Sequence, residues 1–259
     1  MNSIHTFVVL AYKESQYLEE CIKSVLDQEY KSKVVIATTT DNKFIRNLAQ
    51  KYHLEVIVGK HTNIGGDFDF AIKCSDTPLV TIAHQDDLYD KNYSKKVVDA
   101  YTKDATIIFT DYYEIREKEK VHNNRNLKIK RILLTPLKFR SLSGRTWAKR
   151  FVLRFGNAIS CPAVTFNKEN LEFPVFEYDM TCDIDWHAWE KLSRKKGKFI
   201  FIKDHLMGHR VHEDSETTKT ISENRRTKED LEIFKRFWPE WFAKKINTFY
   251  SKSEESNNV

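Results

Sequence analysis

The first hundred residues alternate between short apolar runs and segments in which apolar residues recur at helical spacing. Residues 6–10 form an apolar run typical of a buried strand, and residues 14–28 place Leu18, Ile22 and Val25 on one helical face. The pattern continues with predicted strands at 33–37, 54–58, 79–83 and 106–110 and predicted helices at 42–52, 65–75 and 91–103. Such alternation predicts an α/β fold with a mostly parallel central sheet and helices on both faces. Binding sites in these folds lie at the carboxyl ends of the strands.

The pattern changes in the second half of the chain. Residues 123–155 are rich in Lys and Arg without strand alternation, which predicts a basic helical insertion. Further predictions are a strand at 162–166, a helix at 183–195, a strand at 198–202 and a long helical stretch at 222–250, kinked at Pro239. We therefore predict one α/β domain over 1–220 that contains the insertion, followed by a C-terminal helical extension and polar tail over 221–259.

Composition narrows the class of protein. The 259 residues are 41% hydrophobic and 31% charged, which is enough apolar material for a packed core. A net charge of +6 is far from that of a dedicated nucleic-acid binder, so no nucleic-acid partner is expected. The sequence has no apolar run of transmembrane length and no secretory signal pattern, and its four cysteines are scattered. These features favour a reduced, cytoplasmic protein.

The first strand is followed by a turn that contains no glycine. A dinucleotide-binding turn would carry Gly-x-Gly-x-x-Gly, whereas this one reads Ala11-Tyr-Lys-Glu-Ser15, and no Walker A motif occurs. A metal held by carboxylates is another way to neutralise bound phosphates, and Asp86 and Asp87 directly follow the fourth predicted strand. Asp pairs are also common in plain turns, so spacing alone leaves both interpretations open.

Four segments, in order along residues 5–220, resemble family 2 glycosyltransferases, which have the GT-A fold. They are Phe7-Val-Val-Leu-Ala-Tyr-Lys-Glu-Ser15, Asn63-Ile-Gly65 leading to Leu79-Val-Thr-Ile-Ala-His-Gln-Asp-Asp87, Asp183-Ile-Asp-Trp-His-Ala-Trp-Glu-Lys-Leu192, and His209-Arg-Val-His212 with Ser215 and Thr217 after it. The resemblance implies a Rossmann-type α/β sandwich and an inverting transfer of sugar from a nucleotide diphosphate donor. It also implies a divalent cation, Mn²⁺ or Mg²⁺, and uridine as the expected base.

The resemblance assigns the metal-binding residues. Asp86 corresponds to the principal ligand and Asp87 to a supporting one, because His84 stands at the first position of the DxD-type motif. His212 corresponds to a further ligand or a donor to the phosphate, and Arg210 could face the diphosphate as a charge clamp. Without the resemblance, Asp86 would be interpreted as a helix cap and His212 as a solvent-facing side chain.

The same comparison points to two candidate bases. Asp185 would take the proton from the acceptor hydroxyl while that oxygen attacks the anomeric carbon, and Asp183 is the rival. Asp185 directly precedes a predicted helix, so it could instead be a plain N-cap, and the two roles are compatible.

The expected donor pocket draws on several loops. Its residues are Ala11, Tyr12, Glu14, Asp41, Asn63, Gly65, Asp67 and Gln85, together with Asp86 and Arg210. The acidic pair that usually reads the base is replaced here by Thr38-Thr-Thr-Asp41, which leaves the base open. For Asn63, Gly65 and Asp67 ordinary turn chemistry is the alternative interpretation.

Other roles remain open at this level. The expected acceptor is a glycan, a glycopeptide or a lipid-linked sugar, in the synthesis of a bacterial surface glycan. The basic stretch from Lys128 to Arg154 could contact the anionic inner face of a membrane, or it could be a solvated helical face. The aromatic residues between Phe234 and Phe242 favour packing over a sugar-binding platform. Alternative functions are a sugar nucleotidyltransferase and an inactive nucleotide-sugar-binding scaffold.

Overall fold

The computed structural model describes residues 3–117, 119–177, 179–212 and 225–255. Within them one sheet contains nine strands. These are β1 (His5–Ala11), β2 (Lys33–Thr38), β3 (Glu55–Val58), β4 (Leu79–His84), β5 (Leu88–Tyr89), β6 (Ala105–Arg116), β7 (Glu119–Val121), β8 (Val164–Asn167) and β9 (Lys198–Val211).

The described helices lie between and after these strands. They are α1 (Leu18–Leu26), α2 (Lys43–Lys51), α3 (Ile64–Lys73), α4 (Tyr93–Ala100), α5 (Arg125–Leu133), α6 (Thr146–Phe151), α7 (Ile184–Ser193), α8 (Arg225–Lys235) and α9 (Glu240–Glu255). Short 3₁₀ turns at Thr135–Lys138 and Arg140–Leu142 connect α5 to α6.

The strand order is β3-β2-β1-β4-β8-β6-β9-β5, and β7 pairs with β6. The first four strands are parallel, β8 runs antiparallel between β4 and β6, and β6 and β9 are again parallel. The predicted α/β fold with a mostly parallel central sheet is confirmed. Because β1, β2 and β4 run in the same direction, the loops after them meet at one edge.

Each face of the sheet packs against its own apolar cluster. Val8, Val80 and Ile82 point to one side and join the core beneath α3, α7 and α8, whereas Phe7 and Val9 point to the other, against α1, α2 and α4. This division follows from the strict alternation of side chains along a strand. Strands buried on both faces appear in the sequence as the continuous apolar runs that made them recognisable.

The strands β6 and β9 extend well beyond their predicted ends. They pair in parallel over almost their whole length, with register shifts near Thr110 and Asp111. Polar residues such as Glu114 and His209 occupy these extensions, so hydrophobic patterning ends before the strands do. The extension of β9 carries the chain to His209 and Arg210 at the edge where the β4 loop lies.

The C-terminal region forms two helices instead of one kinked helix. Pro239 lies in the break between α8 and α9, as expected for a residue that lacks a backbone N–H. Phe234 is buried, whereas Trp241 is largely exposed. The predicted domain boundary at residue 220 lies outside the described residues, as do Ser215 and Thr217, so that division stays a prediction. No helix in the described parts of the chain combines the length and apolarity needed to cross a bilayer.

Candidate functional site

The loops after β1 and β4 are joined by one amide side chain. The Tyr12 backbone N–H donates to Gln85 Oε1 at 2.9 Å, and Gln85 Nε2 donates back to the Tyr12 carbonyl at 3.1 Å. Ala11, the last residue of β1, is buried, and Tyr12 is the first exposed residue after it. Gln85 therefore fixes the first turn of the expected donor pocket against the loop that carries Asp86.

Asp86 lies where three segments of the chain meet. Its Oδ1 accepts a hydrogen bond of 2.7 Å from Ser15 Oγ, and its Oδ2 lies 3.5 Å from Nε2 of His212. The His212 ring also packs against Tyr17, with 5.1 Å between ring centroids. Two of the three predicted metal ligands, Asp86 and His212, are thus brought together although they lie 126 positions apart in the chain.

Asp87 points into the protein instead of toward the loop surface. Its Oδ1 accepts the Arg210 backbone N–H at 2.9 Å and lies 3.2 Å from Nδ1 of His209. Burial raises the pKa of Asp87, but the charge and hydrogen bond of His209 outweigh burial and hold that pKa below its ordinary value. In the structure the carboxylate ties the β4 loop to the end of β9. Its supporting role in metal binding stays a prediction.

Arg210 is held by three contacts. Its Nε donates to the Asp86 carbonyl at 2.9 Å, one terminal nitrogen donates to Glu20 at 2.7 Å, and the guanidinium lies 4.2 Å from the Tyr17 ring centroid. The predicted contact with a diphosphate stays a prediction. In the structure Arg210 shapes the Asp86 loop and places positive charge beside it.

His84 is the last residue of β4, two positions before Asp86. Its ring packs against Phe68 of α3, and its Nε2 is buried without a hydrogen-bond partner in the described part of the chain. Burial lowers the pKa of His84, while the charges of Asp87, Asp86 and Asp185 act to raise it. Asp185 and the Asp86 loop therefore both lie within electrostatic range of this imidazole.

Asp185 lies in the first turn of α7. Its Oδ2 accepts a hydrogen bond of 2.9 Å from Asn157 Nδ2, and its Oδ1 accepts the Trp186 backbone N–H at 2.7 Å. Burial raises the pKa of Asp185 above the ordinary aspartate value, although both hydrogen bonds oppose that rise. The N-cap of α7 is Asp183, so the interpretation of Asp185 as a plain N-cap is wrong: Asp185 lies inside the helix, with its carboxylate held in a fixed orientation.

Asp183 has a different environment. It is 3% exposed, and burial together with the neighbouring carboxyl of Asp230 raises its pKa well above the ordinary value. Two buried carboxyls that interact in this way favour a shared proton. A carboxyl that shares a proton with its neighbour is less available to accept another, and this distinguishes Asp183 from Asp185.

The helix α8 holds the loop that precedes α7. Oε2 of Glu229 accepts backbone N–H groups from Cys182 at 2.8 Å and Asp183 at 3.1 Å, and Oε1 accepts that of Thr181 at 3.1 Å. The N-cap of α7 is Asp183, whose side chain makes no capping hydrogen bond. Glu229, from another helix, accepts the N–H groups of Asp183 and of the two residues before it. Glu229 and Asp230 were not predicted, because nothing in the local sequence of α8 marks them.

Asp67 provides a second buried carboxylate, near the ends of β2 and β3. It is 7% exposed, and its Oδ2 accepts from Thr39 Oγ1 at 3.1 Å and lies 2.8 Å from Nδ1 of His61. Its Oδ1 is buried and has no hydrogen-bond partner among the described residues. The His61 ring in turn lies 6.3 Å from that of Tyr12. Asp67 therefore offers one spare acceptor oxygen beside the first turn.

The remaining predicted donor-pocket residues make local contacts. Asp41 forms a two-point ion pair with Arg46 on the surface, which lowers its pKa. Asn63 caps α3 by accepting the Gly66 backbone N–H at 2.7 Å. A Cβ on Gly65 would lie 2.6 Å from the carbonyl oxygen of Glu177, so the absence of a side chain at this position leaves room for the backbone of Glu177. Glu14 is exposed. Ligand contacts by these residues stay predictions.

The arrangement around Asp86 can be tested against the needs of a divalent cation. Within the described ranges no three His, Cys, Asp or Glu side chains converge as a metal cage. A carboxylate oxygen and an imidazole nitrogen 3.5 Å apart nevertheless suit two neighbouring ligands of one ion, which are separated by about 3 Å at bond lengths near 2.1 Å. Such a site would take its other ligands from diphosphate oxygens and water, as Mg²⁺ and Mn²⁺ sites commonly do. The residues present fit the cation.

Comparison with known proteins settles the family. The sequence profile described as glycosyl transferase family 2 matches residues 6–158, more than half of the chain. The chain belongs to this family. The matched part of this family 2 glycosyltransferase contains Asp86 and Asp67, whereas Asp185 and His212 lie beyond it. No curated protein sequence matches the chain.

Solved structures show the same fold as this family 2 glycosyltransferase. Staphylococcus aureus TarS 1–349 in complex with UDP-GlcNAc is 13% identical, with a TM-score of 0.64 over 95% of this chain and 70% of that one. The mannosyltransferase PcManGT from Pyrobaculum calidifontis, in complex with GDP-Man and Mn²⁺, is 15% identical, with a TM-score of 0.63 over 97% of this chain and 70% of that one. At these identities the likeness establishes the GT-A fold and nothing finer.

Proposed function

We propose that this protein is an inverting, metal-dependent glycosyltransferase that moves a sugar from a nucleotide diphosphate donor to an acceptor hydroxyl. The observation that carries the proposal is the meeting of Asp86 and His212 at one edge of the sheet, where Asp86 Oδ2 lies 3.5 Å from Nε2 of His212. Asp185, a buried carboxylate held by two hydrogen bonds, is within electrostatic range of His84 at the end of β4, two residues before Asp86. A single displacement needs both a group that binds the diphosphate and a base for the acceptor hydroxyl.

The donor end is formed by the loops after β1, β2 and β4. Asp86 and His212 would hold a divalent cation, which when bound offsets the negative charge that develops on the departing diphosphate. Arg210 supports this end by fixing the Asp86 carbonyl and adding positive charge behind the loop. Ser15 orients the carboxylate through Oδ1 and leaves Oδ2 directed toward His212.

We propose uridine as the base and Asp67 as the residue that recognises it. Uracil presents one imide N–H, and Asp67 has one unpartnered oxygen, while Thr39 and His61 occupy the other. Cytosine and adenine present an unprotonated ring nitrogen at the corresponding edge, which a carboxylate would repel. Guanine presents an N–H there as uracil does, so the choice of uridine over guanosine rests on membership of the family. Asp41, at the position expected to read the base, is already paired with Arg46.

At the acceptor end, Asp185 is the proposed general base. Asn157 and the Trp186 N–H fix its two oxygens, and the raised pKa makes the carboxylate a stronger proton acceptor than an exposed aspartate. Attack by the acceptor oxygen breaks the bond from anomeric carbon to phosphate oxygen, and the hydroxyl proton passes to Asp185. One displacement inverts the configuration of the anomeric carbon.

The proposed acceptor is a hydroxyl of a glycan, a glycopeptide or a lipid-linked sugar, and the proposed setting is the cytoplasmic synthesis of a bacterial surface glycan. This part of the proposal rests on membership of the family, since fold alone does not identify a substrate.

The decisive experiment measures release of UDP from UDP-sugars in the presence of Mn²⁺. Asp86→Ala should lower the rate on the order of 100-fold or more, because it removes a proposed ligand of the cation that would offset the charge developing on the diphosphate. Asp99→Ala, on the exposed face of α4, is the matched control and should leave the rate unchanged. Full activity of Asp86→Ala would refute the metal site.

The same assay separates the alternatives. Pyrophosphate release from UTP and a sugar phosphate would identify a nucleotidyltransferase. Binding of UDP without turnover of any donor would identify an inactive scaffold.

A further inference from the structure

The segment between the strands β7 and β8 has an unusual charge composition. Residues 120–168 contain 12 Lys and Arg and not one Asp or Glu, whereas the rest of the chain carries 31 Lys and Arg against 37 acidic residues. The net positive charge of the protein therefore comes entirely from this segment.

Large apolar side chains of the same segment are exposed. The exposed fractions are 44% for Ile129, 68% for Ile132, 59% for Phe139 and 59% for Trp147. These residues lie on α5, in the connecting turns and on α6, and the turn Thr135–Lys138 contacts both helices. The exposed side chains thus belong to adjoining pieces of one surface.

The inner side of this surface is firmly anchored. Leu127, Leu134 and Leu137 are buried, and Arg131 forms a largely buried ion pair with Asp111 of β6 at 2.7 Å. The buried leucines are the residues by which this segment packs on the core, so the exposed apolar side chains are not needed for that packing. A fixed scaffold presents them to the outside.

We propose that this surface docks on an anionic lipid bilayer. We call it the insertion face and define it by Lys128, Ile129, Ile132, Phe139, Arg145 and Trp147. Cations beside exposed Ile, Phe and Trp are the combination that binds lipid interfaces, with apolar groups entering the headgroup boundary and Lys and Arg meeting anionic headgroups. An acidic protein surface would match the charge and would leave the four apolar side chains without a complement.

The helix α5, which carries part of the insertion face, also comes within electrostatic range of the candidate base. From the inner side of α5, Lys130 donates from Nζ to the Tyr112 hydroxyl at 2.9 Å, and its charge acts to lower the pKa of Asp185. One helix thus connects the docking surface with the candidate base. An acceptor carried on a membrane lipid would meet the pocket from this side; that consequence rests on the proposed function, whereas the docking itself does not.

Vesicle co-sedimentation of the full chain tests the proposal without any turnover. Vesicles of phosphatidylglycerol in phosphatidylcholine should bind the protein, and pure phosphatidylcholine vesicles should bind it far less. Lys128→Gln with Arg145→Gln should weaken binding about 25-fold, since each cation near the surface contributes about 1 kcal/mol. The matched control pair, Lys31→Gln with Lys203→Gln, removes two exposed cations elsewhere and should change binding less than about threefold.

Apolar contributions are measured in the same way. Ile132→Ser with Trp147→Ser should weaken binding by at least about 10-fold, whereas Val58→Ser, exposed on β3, should have no effect. Equal losses from both charge pairs, binding unaffected by the apolar pair, or equal binding to both kinds of vesicle would each overturn the proposal. So would self-association of the wild-type chain that the apolar pair abolishes, because the occupant would then be a second copy.

Discussion

At the scale of single residues, two aspartates two positions apart have environments that push them toward different protonation states. Both are buried enough to raise the pKa, but Asp183 also faces Asp230, whereas Asp185 receives hydrogen bonds from Asn157 and a backbone N–H. Hydrogen bonds to the charged form favour ionisation, and a second carboxyl opposes it. This contrast selects Asp185 as the proposed base, a choice that spacing in the sequence left open.

If Asp185 is the base, the hydrogen bond from Asn157 should influence the pH at which it accepts a proton. Asn157→Ala removes a donor to the charged carboxylate, so the pKa of Asp185 should rise further. The acidic limb of kcat/KM should then move to higher pH by the same amount. A pH–rate profile measures the shift, and Asp185→Asn is the reference that should lower transfer about 10²- to 10⁴-fold while UDP affinity is kept. An unmoved limb in Asn157→Ala would exclude Asp185 as the titrating base.

The proposed role of Asp67 in recognising the base can be tested by substitution. Asp67→Asn replaces the carboxylate that would accept the imide N–H, and the affinity for UDP should fall about 10- to 100-fold, as for a hydrogen bond to a charged group. Thr39→Val is the control, since it removes a bond to Oδ2 but keeps the free oxygen. Titration calorimetry with UDP, GDP and CDP gives the comparison. Tighter binding of GDP than UDP by the wild type would contradict the uridine assignment.

At the scale of elements, the contact between α8 and the start of α7 links the C-terminal region to the site. Glu229 accepts backbone N–H groups from three consecutive residues, beginning at Thr181, which places the loop that leads to Asp185. A charged acceptor with several donors is among the stronger protein hydrogen-bond arrangements.

Removing the charge of Glu229 should therefore affect both stability and turnover. Glu229→Gln keeps the shape of the side chain, and the free energy of unfolding should fall by about 1–3 kcal/mol. kcat should fall with little change in the KM for donor, because Glu229 holds the loop that leads to Asp185 on the proposed acceptor side. Glu232→Gln, an exposed neighbour on the same helix that pairs with Lys235, should change neither quantity. Urea unfolding and steady-state kinetics on both variants test this, and equal effects of the two substitutions would argue against the role of Glu229.

Elements with a clear hydrophobic pattern were predictable from the sequence, whereas those of mixed polar and apolar composition were not. The strands β1 and β4 are continuous apolar runs, so their positions and the edge carrying Asp86 followed directly. The far half of β9 mixes polar and apolar residues where it reaches the proposed site, so pattern alone ended the strand too early. Contacts such as Asp67 with His61, or Glu229 with the α7 loop, depend on tertiary placement that no local signal encodes.

At the scale of the whole molecule, a buried histidine should make stability depend on pH. His5 lies in β1, fully buried between Ser32 and Thr81, and burial lowers its pKa to about 3. The unfolded chain binds a proton at this residue near pH 6.5, whereas the folded chain binds none until about pH 3. Stability is therefore lost progressively as the pH falls from 6.5 toward 3, by about 2 kcal/mol at pH 5 from this residue alone.

Urea unfolding at pH 7.5 and pH 5.0 measures that loss. His5→Gln has no titrating ring at this position, so the difference between the two pH values should shrink by about 2 kcal/mol relative to wild type. His53→Asn, at an exposed position of positive φ that Asn tolerates, should keep the wild-type difference. An unchanged difference in His5→Gln would show that other groups cause the acid sensitivity.

Residues 120–168, which include α5 and α6 and contain no Asp or Glu, also give the protein an electric dipole. Residues 120–168 contribute twelve positive charges, and the remaining chain has a net charge of −6, so the two parts are attracted in opposite directions by any external field. A negatively charged plane would exert a torque that turns the basic side toward it from about 10 Å away at 0.1 M salt. The protein would therefore approach such a plane already aligned. Added salt would lower the association rate at concentrations that still leave the contacts of the bound state largely intact.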